Sequence, residues 1–191
     1  MGILRRLSSL FRLRSFAKDD RGVSAVEFAL VAPILIMTYL ALAELTLGMM
    51  ASRRTSHLAA SIGDLAAQSE TLTNANITDL FAIGTSMLQP FPAGTALKMR
   101  LTCVTMGTDN KAKVIWSDAQ YMTPYTVGST ISSISTAQIA AGESLMMTEV
   151  EYTYTDPIAS PVADFLPGST PFKDTFFHHP RNGAAIVRTA S

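Results

Sequence analysis

The sequence predicts an α+β protein: a long apolar N-terminal helix that crosses a membrane and projects from it as a stalk, followed by a small, mainly antiparallel β-sheet domain. Three observations carry this expectation. No charged residue separates Glu27 from Glu44; helical spacing of apolar residues continues beyond residue 50; and from Leu97 onward apolar and polar residues alternate in short runs bounded by Gly, Pro and Asn. The expected organisation is a basic leader at 1–22, a transmembrane helix at 23–50 and an extracytoplasmic α+β domain at 51–191.

The leader comes first. The 191-residue chain has no net charge, yet residues 1–22 hold six basic residues against Asp19 and Asp20, while the remainder holds nine basic and thirteen acidic residues. Each part is therefore four charges from neutrality. The positive-inside rule keeps the basic end in the cytoplasm and sends the C-terminal domain across the membrane. Arg53 and Arg54 oppose that rule but are outnumbered. Leu4, Leu7, Leu10, Phe11 and Phe16 have loosely helical spacing, which suits either a surface-lying amphipathic segment or a solvated leader awaiting removal.

The span follows. From Glu27 to Glu44 a helix rises roughly 26 Å at about 1.5 Å per residue, slightly short of a hydrocarbon core of about 30 Å. Leu45, Leu47, Met49 and Met50 complete it. Each Leu, Ile, Val or Phe contributes roughly −0.3 to −0.6 kcal/mol to insertion, which together outweighs one carboxylate near an end. Pro33 removes one helical amide and predicts a bend about three turns after Val23, tolerable where other helices pack nearby.

Leu58, Ile62, Leu65 and Ala66 continue the helix at i, i+4, i+7 and i+8. Asn76 is the expected N-cap of a shorter helix from Ile77 to about Leu88, whose face is Leu80, Phe81, Gly84, Met87 and Leu88. The Gln89-Pro90-Phe91-Pro92-Ala93-Gly94 run ends it. Leu97 to Met106 and Ala112 to Asp118 form a predicted hairpin around Gly107-Thr108-Asp109-Asn110, with Trp116 in its packed layer. Leu145 to Thr155 is a third strand, with Val150, Tyr152 and Tyr154 on one face and Glu149, Glu151 and Thr153 on the other. A proline-punctuated stretch follows from Pro157 to Pro171, containing Asp164, Phe165 and Leu166. Phe172 to His178 and Ala184 to Arg188 are short candidate strands. No internal repeat or heptad array is visible.

The informative site lies at the leader's end, in Arg21-Gly22-Val23-Ser24-Ala25-Val26-Glu27-Phe28. Glu27 stands at the edge of an apolar run, where an ionisable group is costly and by default functional. A cut after Gly22 would make Val23 the N-terminus and leave Glu27 at i,i+4 on the same helical face. An α-amino group with a reference pKa of about 7.7 to 8 is largely cationic near neutrality, so cleavage would create a partner for the carboxylate.

Gly22 followed by Val23 to Phe28 resembles the processing motif of type IV prepilins, a glycine cut site with glutamate at the fifth mature position. Glu27-Phe28 and the following Ala-Leu-Val-Ala-Pro-Ile-Leu at 29–35 resemble the TadE/TadG-like proteins of the tight-adherence (Flp) pilus. The resemblance implies a pilin-like fold and a minor pilin or pseudopilin-like role in pilus assembly, linked to adhesion and biofilm. Its implied partners are a prepilin peptidase cutting between Gly22 and Val23, pilus subunits and other minor pilins, the inner-membrane assembly machinery and membrane lipid. It implies an inner-membrane protein with a periplasmic domain that can enter an extracellular pilus, with Glu27 and Phe28 as assembly residues. Val23 departs from the phenylalanine common at the first mature position of type IV pilins.

Two alternatives stand beside this reading. One is an uncleaved single-pass anchor carrying an extracytoplasmic binding or envelope-structural domain. The other is release of a soluble domain by signal peptidase at Ala41-Leu42-Ala43. Catalysis is not expected: no Gly-x-Ser-x-Gly elbow, phosphate loop or His-Glu-x-x-His occurs. No cofactor, metal or nucleic-acid partner is expected either. Adjacent His178 and His179 would point to opposite strand faces and are read as exposed or locally hydrogen-bonded. Glu149 and Glu151 are read as a solvated face, and Asn76-Ile77-Thr78 as a helix cap. Cys103 alternates with Leu97, Met99 and Leu101, which places it in a buried strand, and as the sole cysteine it can form no intrachain disulfide.

Overall fold

The computed structural model describes residues 22–155, 169–181 and 183–189. The leader at 1–21 and most of the proline-punctuated stretch, with Asp164, Phe165 and Leu166, lie outside the described residues. The architecture is a long N-terminal helix followed by a small antiparallel sheet domain, as the sequence predicts, but the second half of the helix packs on the four-stranded sheet where a projecting stalk was expected.

Helix α1, Val23–Ala67, is continuous for 45 residues, about 67 Å at 1.5 Å per residue. Pro33 lies inside it. Its missing N–H leaves the Ala29 carbonyl without the usual helical donor. The two halves of α1 differ in surroundings. From Val23 to Ala43 no residue is buried, whereas Glu44, Ala51, Thr55, Leu58, Ala59, Ile62, Gly63, Ala66 and Ala67 form a buried seam. The extension expected from the Leu58 to Ala66 spacing is thus the core helix of the folded domain. Leu65 departs from expectation: it is 39% exposed, because the seam passes through Ala66 and Ala67.

Helix α2 is Asn74–Met87, three residues longer at its start than the sequence suggests. Its N-cap is Thr73, not Asn76. Thr73 Oγ1 accepts from the Asn76 amide at 3.2 Å while Asn76 Oδ1 accepts from the Thr73 amide at 3.0 Å, a reciprocal capping box with Asn76 at the third helical position. Ile77, Leu80, Phe81 and Gly84 are its buried face. Gly84 permits the close approach to α1, since a Cβ there would lie 3.5 Å from Ile62 Cγ2 and 3.6 Å from Leu58 Cδ2.

The sheet has strand order β3-β2-β4-β5, where β2 is Leu97–Met106, β3 Ala112–Gln120, β4 Ser144–Thr155 and β5 Ser169–His178. Two-residue strands β1, Thr71–Leu72, and β6, Val187–Arg188, pair in parallel and tie the C-terminal segment to the end of α1. The candidate strand at Ala184 to Arg188 is therefore shorter than expected. Leu97, Met99, Leu101 and Cys103 of β2 join Met146, Val150, Tyr152 and Tyr154 of β4 against α1 and α2. The sheet register shifts between Cys103 and Val104, where Cys103 pairs Trp116 but Val104 pairs Val114. Ile115 is the extra residue of this bulge. It puts Trp116 on the helix side and Val114 on the opposite side, although strict alternation would place both together.

That opposite face is only partly polar. Ile131, Ile134 and Ile139, from the irregular segment 121–143, cover Val104, Met106, Val114, Leu145 and Met147 in a second small core. Residues Ser144 to Thr148 are consequently buried on both faces, and alternation is clean only from Glu149 to Thr155. Glu149 and Glu151 do not form a merely solvated face. Arg100 Nε donates to Glu149 at 2.7 Å, and Lys98 and Lys173 lie 3.3 and 3.0 Å from Glu151.

Candidate functional site

The predicted site residues gather at the free end of α1. Gly22 is the helix N-cap, with φ −86° and ψ −18°, and it makes no side-chain cap. Open space surrounds it: a Cβ at Gly22 would meet nothing within 4 Å. Val23 is the first helical residue and Glu27 lies one turn later, exposed, as is Phe28 at 72%. Helical geometry puts Val23 and Glu27 on one side of the rod. No described side chain from the sheet domain reaches Gly22, Val23, Glu27, Phe28 or Pro33, because the domain first grips α1 at Glu44.

The uncovered half has a simple chemistry. Leu30, Val31, Ile34, Leu35, Ile36 and Tyr39 are each more than half exposed. The most apolar 18-residue window of the helix has none of its residues buried, so this stretch takes no part in the domain core. Six large apolar side chains left bare in water would forfeit about 1.5 to 3 kcal/mol each, which a hydrocarbon environment or neighbouring helices would restore. By length and composition this is one helix able to cross a membrane. It fits a single-pass anchor.

Where the domain begins, the sequence reading missed a polar fastening. Glu44, the first charge after Phe28, is turned inward and accepts a hydrogen bond from the Tyr154 hydroxyl at 2.8 Å. Gly48, one turn later on the same face, leaves room for the Tyr154 ring, whose Cε1 would lie 3.8 Å from a Cβ there. Phe91 meets Tyr154 edge-on at 5.9 Å between centroids, and Phe172 flanks it at 6.3 Å. The Tyr152 hydroxyl donates to the Pro92 carbonyl at 3.1 Å. The strand end of β4 and the Pro90 to Gly94 loop thus clasp α1 just above its exposed half. The sequence signal was present: Tyr154 fell on the apolar face of β4, and Glu44 broke an apolar run four residues before a glycine.

Further along α1, Gly63 comes so close to β4 and β5 that a Cβ there would overlap Thr148 Oγ1 and lie 2.7 Å from His178 Nδ1. His178 is accordingly neither exposed nor hydrogen-bonded through Nδ1, contrary to the sequence reading. It is half-buried against α1, stacks on Phe176 at 6.5 Å, and its Nδ1 has no hydrogen-bond partner among the described residues. His179 is exposed, so the pair does not converge on one point. No cluster of three or more metal-ligating side chains occurs among the described residues.

Two titratable groups define the domain's interior. Burial pushes the Cys103 thiol above its usual range, which disfavours the reactive thiolate. Burial beside α1 also raises the Asp174 carboxyl, against a smaller lowering by its hydrogen bond with Ser56. Both describe packing, and neither group lies near the exposed half of α1.

Comparison with known proteins bears on the same helix. Residues 22–63 match the family model of TadE-like proteins, a pilus-associated structural family. The match begins at the helix N-cap and ends at the glycine where α1 meets the sheet. No curated protein matches the chain, and no solved structure does.

Proposed function

We propose, from the TadE-like segment at 22–63, that this chain is a minor pilin or pseudopilin-like component of a tight-adherence (Flp) pilus system. A prepilin peptidase cuts between Gly22 and Val23, and α1 holds the product in the inner membrane with the sheet domain on the periplasmic side. The observation that carries this reading is the junction itself. An exposed glycine immediately precedes a 21-residue helical stretch without a buried residue, and the only carboxylate in that stretch lies one turn inside it.

The physical step after cleavage is lateral packing of apolar helices. The new Val23 amine is a cation at a helix N-terminus, where the helix dipole adds further positive charge. Glu27 neutralises its own amine or that of a neighbouring subunit. In low dielectric an unmatched charge is strongly disfavoured, so the correct axial register is the one that pairs both. Register is the benefit. Phe28, pointing outward, supplies apolar contact beside the pair, and a bend at Pro33 adjusts the helix to its neighbours.

The test is the mature N-terminus. Full-length chain co-expressed with the prepilin peptidase of the same system should yield a product starting at Val23 by mass spectrometry. Gly22→Ala should accumulate full-length, membrane-inserted precursor. Recovery of an intact N-terminus with active peptidase would instead favour the uncleaved anchor. Glu27→Ala should be cleaved yet fail to support normal piliation, and wild-type piliation would refute the register argument.

A further inference from the structure

The sheet covers one side of α1 and leaves the other bare beyond the point where the domain begins. On the bare side Thr46, Met49, Met50, Arg53, Arg54 and His57 recur at helical spacing and line a shallow cleft. Leu45, Met49 and Met50 are 61%, 51% and 40% exposed, so an apolar strip runs past Glu44 on this side and stops one turn before two arginines.

Among the described residues those arginines have no acidic partner within 4 Å, as is also true of Lys111 and Arg181. Lys98, Arg100, Lys113, Lys173 and Arg188 each form an ion pair. Among the described residues neither Arg53 nor Arg54 does, and the described hydrogen bond of this pair runs from Arg54 to the Met87 carbonyl at 3.3 Å. They are also the two cations that oppose the positive-inside pattern. An anionic group on the far side would complement them.

We propose that Arg53 and Arg54, with Met49 and Met50 beneath them, form a binding site for anionic phospholipid headgroups of the leaflet on the domain side of the membrane. Helical side chains lean toward the N-terminus, which directs Arg53 back over Met49 toward the bilayer, while Arg54 is held beside it at the Met87 carbonyl. From Glu27 to Glu44, where the domain takes hold, α1 rises roughly 26 Å, a few ångströms short of a hydrocarbon core of about 30 Å. Arg53 and Arg54 then start roughly 12 Å beyond that core at about 1.5 Å per residue, and their long side chains lean back toward its headgroups. Guanidinium forks suit phosphate oxygens. The Glu44 to Tyr154 clasp faces the other way, so the site also fixes which side of the domain turns toward the lipid. This inference rests on the membrane-anchor reading of α1 and not on cleavage or pilus assembly.

The experiment uses the full chain reconstituted into nanodiscs of phosphatidylcholine, titrated with phosphatidylglycerol, with retained lipid counted by native mass spectrometry. Wild type should retain phosphatidylglycerol preferentially. An R53Q/R54Q variant should lose about fivefold in that preference for each arginine removed. R53K/R54K should keep most of it. R5Q/R6Q serves as the comparator, since the positive-inside pattern assigns the leader to the opposite leaflet; loss of preference there with none in R53Q/R54Q would overturn the proposal. Preserved fluorescence of Trp116 excludes unfolding as the cause. Insertion with no lipid preference in wild type would sink this inference alone, reassigning the pair to an acidic protein surface. Failure to insert at all would sink the anchor reading with it.

Discussion

Replacing Gly63 by alanine should destabilise the domain even though alanine is the better helix former. The added methyl would overlap Thr148 Oγ1 and sit 2.7 Å and 2.9 Å from Nδ1 and Cε1 of His178, which lie on two different strands. Relieving such overlap requires shifting α1 from the sheet or moving both side chains, a cost of about 1 to 3 kcal/mol. The gain in helix propensity, about 1 kcal/mol, offsets part of it. The expected net loss is therefore up to about 2 kcal/mol. Gly48→Ala is the control with the opposite sign: its methyl would meet Tyr154 Cε1 at 3.8 Å, an ordinary contact, so the propensity gain should dominate. Trp116, the sole tryptophan, reports both, because it is buried and donates to the Ile186 carbonyl at 2.7 Å. Thermal unfolding in detergent, followed by its fluorescence, should show Gly63→Ala melting below wild type. A loss of 1 kcal/mol corresponds to about 2 to 4 °C in a domain of this size. Thr148→Ala added to Gly63→Ala should return part of the loss, since the two positions contend for one space. If Gly63→Ala is as stable as wild type or more so, the close approach of α1 to the sheet is wrongly placed.

Asp174 should make the domain lose stability as pH rises. Its folded pKa is raised by burial, so the folded state holds the proton more tightly than the unfolded state, and stability falls between the ordinary carboxylate range and the raised value. Asp174→Asn should remove that dependence and be more stable than wild type at neutral pH, measured by denaturant unfolding across the acidic range; an unchanged pH profile would refute it. Glu151 acts with the opposite sign, its carboxyl lowered first by Lys173, and its contribution is small because the lysine that holds it lies at the surface. Arg188 should be the costly residue to lose at the C-terminal end. Its Nε donates to Asp118 at 2.7 Å and its guanidinium also donates to the Leu72 and Thr189 carbonyls, joining β3 to the β1–β6 pair. Arg188→Ala should lower stability by about 1.5 to 3 kcal/mol and expose residues 71–72 and 187–188 to hydrogen exchange, whereas unchanged protection would show the clamp to be idle.

Several features were legible in the chain because they depend on local chemistry. The uncharged run to Glu44 requires burial in something apolar wherever the rest of the chain goes. The alternation of Leu97, Met99, Leu101 and Cys103, and of Val150, Tyr152 and Tyr154, assigns strand faces by the twofold period of the backbone. Gly22, Val23, Glu27 and Phe28 were readable as a group because their spacing in sequence is their spacing on one helix.

What stayed hidden depends on distance across the fold. The seam by which α1 grips the sheet runs through Glu44, Gly48, Ala51, Thr55, Leu58, Ala59, Ile62, Gly63 and Ala66, of which only Leu58, Ile62 and Ala66 stood out as an apolar period, the rest being small or polar. Only the proximity of Thr148, His178 and Tyr154 shows that smallness at those positions is a fit. Thr73 displaced Asn76 as the cap because a reciprocal pair of hydrogen bonds satisfies two backbone donors where a single cap satisfies one. The bulge at Ile115 overrode alternation because Trp116 and Val114 serve different cores. The sequence by itself determined that an apolar rod begins beside a glycine and carries a carboxylate one turn in, since those are properties of one helix. The tertiary structure decided which side of that rod is taken by the sheet and which side stays bare, since a helix face acquires a partner only when strands distant in sequence close upon it.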